Sequence, residues 1–246
     1  MIRGILSATT AMRAQVLNQE VIANNLANAD TVAYQKDKTI SRSFHDVLMY
    51  RFEPFTQTAI GGYTGGTVIH DIATLGVTGP LETTENPLDI VLPQGTYLSV
   101  ETPSGTRYTR MGNLAISDGY VTVAGYRVLG RNGPIQADGH STFGISEDGS
   151  VMADGEEIGN LAVYSFSRDS GVLRKEGNTL FRADGAVPSL IEFPRLVVGV
   201  LEKSTVDPVS EMVNLISSLR AYEAAQRALH AHDETLDQAV NRVGRV

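Results

Sequence analysis

Cysteine is absent from the 246 residues. That excludes disulfides, thiolate metal sites and cysteine nucleophiles, and it suits a chain that crosses oxidising surroundings without cross-linking. Long apolar runs are also missing. No stretch approaches the roughly 20 residues that span a bilayer, so membrane insertion is not expected. The first twenty residues, MIRGILSATTAMRAQVLNQE, hold no continuous apolar core ahead of a small-residue cleavage site. Export, if it occurs, is expected by a route other than a cleaved signal peptide. An excess of basic charge is lacking too. The net charge is −8, which argues against a nucleic-acid partner reached through a basic surface.

Proline and glycine are scarce at the two ends. No proline precedes Pro54 or follows Pro208, and only Gly4 and Gly244 lie outside the span 61–199. The ends can therefore be long helices and the middle is full of turns. In the N-terminal segment Ile2, Ile5, Met12, Val16, Ala23 and Leu26 follow an alternating 3/4 spacing, with Thr9 and Gln19 as polar interruptions. Such a helix is about 40 Å long. It ends in asparagines: Asn24, Asn25 and Asn28 favour helix ends and turns, because their amides compete for backbone hydrogen bonds. These three are expected to bond the following turn or a neighbouring helix.

The C-terminal helix is expected to start at Pro208 behind an Asp207 cap. Met212, Leu215, Leu219, Tyr222, Leu229, Leu236, Val240 and Val243 form its seam, interrupted by Gln226 and Asp233, over roughly 50 Å. A narrow seam must be buried against another helix. Two partners remain open: the opposite end of the same chain, or copies of it.

Between the ends, residues 35–75 read as an extension with a short helix or strand pair and a glycine-rich link or hairpin at 58–71. From 76 to about 200 the pattern is β. Short runs are punctuated by Asp-Gly pairs beginning at Asp118, Asp138, Asp148, Asp154 and Asp184, a hairpin signal because both turn residues tolerate positive φ. The expected class is α+β: long terminal helices pairing as a coiled coil around a central antiparallel, mainly-β domain. The expected divisions are 1–34, 35–75, 76–200 and 201–246.

No constellation supports catalysis, a cofactor or a metal. His230 and His232 point about 200° apart on a helix and read as solvated surface. His45 and His70 each precede an aspartate without a visible nucleophile, and read as surface or turn positions. Glu82, Glu85 and Asp89 could pair as hydrolytic carboxylates, but read as a polar strand entrance.

Several motifs, in order, resemble the axial proteins of the bacterial flagellum, the rod and hook-basal-body family. They are Ala23–Asn28 with Thr31 and Tyr34, Asn86–Leu92, Tyr108–Asn113 (YTRMGN), Gly199–Ser204 with Val206 and Glu211-Met212, and Arg220–Glu223. Ala33 stands where the family commonly has glycine, and Thr205 where it has asparagine. Both departures put the backbone at those turns in question. The length and single central domain resemble rod proteins. The resemblance implies export by the flagellar type III apparatus without signal cleavage. It also implies helical assembly with copies of itself and other rod or hook proteins, an inner tube of terminal helices, and torque transmission. The terminal residues named above would then pack between subunits. The alternative is an adhesin or binding module on a helical stalk; a third reading is an envelope hydrolase using the carboxylates near Glu82.

Overall fold

The computed structural model describes residues 2–43, 46–53, 56–64, 66–166, 172–185 and 187–242. Phe44, His45, Gly65 and Val243 fall outside them. The chain forms two compact units. One holds both ends and residues 37–73; the other holds residues 28–36 and 74–206.

The first unit contains α1 (Ile2–Ala27) and α2 (Pro208–Arg242), which pack against each other. Asp207 caps α2 through its carboxylate, which accepts the Val209 N–H at 3.2 Å and the Ser210 hydroxyl at 2.5 Å. This satisfies donors that the first helical turn leaves open. Pro208 takes the first helical position, where its missing N–H costs nothing. Four strands complete the unit: β1 (Asp37–Ser43), β2 (Asp46–Glu53), β3 (Thr56–Thr64) and β4 (Thr67–Thr74). β1 pairs with β4, and β2 with β3 in an antiparallel hairpin.

The second unit is built on a ten-stranded sheet. Its main path runs Val172–Glu176, Leu180–Asp184, Gly105–Thr109, Thr96–Thr102, Tyr126–Gly130, Tyr120–Val123, Ala115–Ser117. Val163–Phe166 lies beside the start of Thr96–Thr102 and carries the edge strand Pro188–Ile191. A separate three-stranded sheet joins Phe143–Ile145, Ser150–Ala153 and Glu156–Asn160.

Thr96–Val100 is buried on both faces. Leu98 and Val100 enter the main core with Val121, Val128, Val151 and Val163. Tyr97, one residue out of phase, enters a second cluster with Tyr108 and Phe181. The period of two thus feeds two cores from one strand. Two of the five Asp-Gly pairs make two-residue hairpins with both φ values positive, Asp118-Gly119 (50° and 74°) and Asp154-Gly155 (51° and 89°). A third hairpin of the same kind is Ala124-Gly125, 51° and 79°.

The α+β class is corrected. Among the described residues there are only two helices against twenty-one strands, so the chain is mainly β with a terminal helix pair. The physical reason lies in residues 37–74. Gly61, Gly62 and the alternating residues described there go into β1–β4, not into a further helix.

Candidate assembly site

Two sets of side chains pin the terminal segments, and each is internal to one unit. In the β unit, the turn after α1 is held by the C-terminal approach to α2. The Ala33 N–H donates to Glu202 O at 2.8 Å, and the Thr205 N–H to Tyr34 O at 3.0 Å. The Lys36 N–H donates to the Thr205 hydroxyl at 2.9 Å. Lys175 donates to Gln35 O at 2.7 Å, with its ammonium 3.6 Å from the Tyr34 ring centre. Tyr34 itself is fully buried.

A buried ion pair sits behind this turn. Arg110 Nη2 donates to Glu202 Oε2 at 2.6 Å, with side-chain exposures of 1% and 2%. Arg110 Nη1 also donates to the carbonyls of Pro93 and Thr96, each at 3.0 Å, and Glu202 Oε1 accepts the Gly79 N–H at 3.0 Å. Both Arg110 Nη atoms and both Glu202 oxygens are thus bonded, as a buried pair requires, while the buried Arg110 Nε has no hydrogen-bond partner among the described residues. Burial pushes the nearby Tyr97 phenol up. The Arg110 guanidinium opposes that rise, Glu202 adds to it, and a hydrogen bond to the Gln35 side chain lowers it. The sequence motifs contained Arg110 and Glu202 but gave no sign that they meet.

In the helical unit the side chain of Asn25, buried, bonds the backbone of Asp37 in both directions. Its Oδ1 accepts the Asp37 N–H at 3.0 Å and its Nδ2 donates to Asp37 O at 2.9 Å. The amide stands in for a paired strand. Nδ2 also lies 3.4 Å from Oε2 of the buried Glu211 on α2. Asn28, in the β unit, accepts from both Thr31 groups, at 3.2 Å each. Asn24 is exposed.

The helix seams come out differently from their expected positions. On α1, Ile5, Met12 and Leu26 are half-buried, whereas Val16 and Ala23 are exposed. On α2, Leu215, Tyr222, Leu229 and Leu236 are half-buried, whereas Met212, Leu219 and Val240 are exposed. The spacing links the half-buried set to Glu211, Ser218 and His232, not to Met212 and Leu219. The inner face is thus offset by one residue at alternate positions. The Ser218 hydroxyl donates to Gln15 Oε1 at 2.7 Å. His232 packs on Gly4, where an added Cβ would lie 2.2 Å from its Nε2. His232 is therefore a packing residue of the helix pair, not solvated surface, while His230 is exposed. The signal was present as Glu211, Ser218, Ala225, His232 and Ala239 at seven-residue intervals, but small and polar residues do not register in a search for apolar stripes.

The carboxylates near Glu82 do not converge on one another through the bonds they make. Asp89 Oδ2 accepts the Thr84 hydroxyl at 2.7 Å, and Glu82 pairs with Lys203 at 3.0 Å.

Terminal helices that pair with each other, and a β unit whose buried charges join distant chain segments, define a structural protein organised around its termini. Residues 5–35 match the family model described as flagella basal body rod protein, and residues 197–242 match flagellar basal body rod FlgEFG protein C-terminal. The flagellar basal-body rod protein FlgF of Salmonella typhimurium is 30% identical over 94% of this chain and 95% of its own. FlgG of Bacillus subtilis is 29% identical over 98% and 99%, and the B. subtilis flagellar hook-basal body complex protein FlhO is 29% identical over the whole of both chains. The chain belongs to the flagellar basal-body rod protein family. It is a structural subunit of the rod, and its place is the flagellar basal body. The relatives give the adhesin reading no support.

Proposed function

We propose that this subunit assembles helically with copies of itself and with other rod and hook proteins through its terminal helices, and transmits torque through them. The observation that carries this is the outer face of α2. Val209, Met212, Val213, Ile216 and Leu219 are between 45% and 70% exposed and share one side of the helix by their spacing. Burying each side chain contributes about 1.5–3 kcal/mol, a driving force available only to a neighbouring molecule. Contacts that repeat without closing generate a filament. Met212, Leu219 and Val240 on α2, with Val16, Ala23 and Asn24 on α1, are the outward residues assigned to subunit packing. Ile5, Met12, Asn25, Leu26, Asn28, Leu215, Tyr222, Leu229 and Leu236 support them from within. In this reading segments 1–34 and 201–246 are the axial parts, 35–75 an extension and 76–200 the outward β domain. Export runs through the flagellar type III apparatus, without cleavage of a signal peptide.

The test is sedimentation and electron microscopy of the purified protein at rising concentration, alone and with other rod proteins. Concentration-dependent helical polymers are expected. A strict monomer in both settings would sink the proposal.

A further inference from the structure

An amphipathic helix pair ordinarily hides its largest apolar side chains inside and its polar ones outside. The N-terminal half of α2 departs from that pattern, with buried polar groups set beside the half-buried Leu215 and Tyr222 on the inner face. The α2 face turned to α1 carries Glu211 and Ser218, both buried, and the large apolar residues Val209, Met212, Val213 and Ile216 are exposed. At 100° per residue the two faces are centred about 140° apart. Directional polar contacts join the helices alongside the apolar Leu215 and Tyr222. Ser218 donates to Gln15 Oε1 at 2.7 Å and Asn25 Nδ2 donates to Glu211 Oε2 at 3.4 Å; within α2, Glu211 Oε1 also accepts from Asn214 Nδ2 at 3.3 Å.

We infer that Gln15, Asn25, Glu211 and Ser218 are the register-determining residues of the helix hairpin. They choose which turn of α1 meets which turn of α2 and hold Glu211 and Ser218 turned inward, which leaves the opposite face of α2 for another molecule. An apolar stripe tolerates sliding by a turn, because aliphatic contacts are non-directional. A buried hydrogen-bonding group does not, because a slip of one turn, about 5.4 Å, leaves it without its partner. The use of single buried polar positions to fix helix register follows the same logic. The consequence for assembly rests on the proposed function; the register itself does not.

The absence of native cysteine permits a clean reporter. Gly4→Cys with His232→Cys places two thiols where the helices touch, and a short bis-maleimide bridges them within one chain. Into this background go Gln15→Met and Ser218→Ala, which replace a bonded pair with apolar groups of similar shape. Helix content by circular dichroism is expected to be retained, while the yield of intramolecular cross-link falls at least threefold. An unchanged yield would overturn the inference. Loss of helix content would also overturn it, since these side chains would then be supplying stability and not choice. A reporter protein that cross-links fully yet never polymerises would count against the assembly proposal and leave the register inference standing.

Discussion

Ala33 has φ +51° and is buried in the turn after α1. The substitution of alanine for the family's glycine therefore leaves the left-handed backbone in place and adds strain to it. Left-handed geometry costs a residue with a Cβ roughly 1–2 kcal/mol, so Ala33→Gly is expected to stabilise the protein by about 1 kcal/mol in a denaturant melt. Thr205 likewise preserves its turn, with a hydroxyl that accepts from Lys36. Gly112 has no such latitude. A Cβ there would lie 1.7 Å from Ile90 O, and the Gly112 carbonyl already accepts the Ile90 N–H. Arg110 is the other residue on which the β unit depends. Arg110→Met leaves Glu202 buried and uncompensated, at a cost of about 3–5 kcal/mol. Urea unfolding of this variant at neutral pH should show a midpoint shift of that size. An unchanged midpoint would mean that the pair is solvated in solution.

At the scale of elements, the two terminal helices are tied in by different means. α1 is anchored by Asn25 to the start of β1, two backbone bonds from one amide. Asn25→Leu removes both and is expected to destabilise the helical unit by about 1–3 kcal/mol. Amide hydrogen exchange at Asp37 should speed up while exchange at Val100 stays slow. On α2 the exposed position of Leu219 turns a packing mutation into a surface one. Leu219→Asp should leave the thermal melt of the isolated chain within about 0.5 kcal/mol and abolish polymer formation. If the variant instead melts early, Leu219 faces inward and the outer-stripe reading is wrong.

For the whole molecule, two buried phenols contribute to the alkaline response. Burial raises both Tyr97 and Tyr108 above the ordinary value of 10.0. The folded chain therefore holds protons that the unfolded chain releases. The stabilisation is complete below pH 10 and declines as pH rises through the folded-state values. Melts at rising alkaline pH should show that decline. Tyr97→Phe should flatten it, because a phenyl ring cannot ionise. A decline of equal steepness in Tyr97→Phe would assign the alkaline response to other groups.

The helix positions, two of the five Asp-Gly hairpins and the family signature were legible in the sequence, because each depends on residues a few positions apart. Proline and glycine scarcity, the Asp207 cap and the turn propensities act locally and need no knowledge of the fold. Three things were decided only in three dimensions. β1–β4 became strands through pairing, as β1 finds β4 across the intervening hairpin. Arg110 and Glu202, 92 residues apart, became an ion pair once the sheet brought the C-terminal approach beside it. The inner face of α2 fell one residue from the apolar seam at alternate positions. Periodicity specifies that a helix has faces; with apolar residues on one side and a small, polar row on another, it does not say which faces inward. Hydrogen bonds between Gln15, Asn25, Glu211 and Ser218 settle that, and they exist only after the two ends of the chain have met.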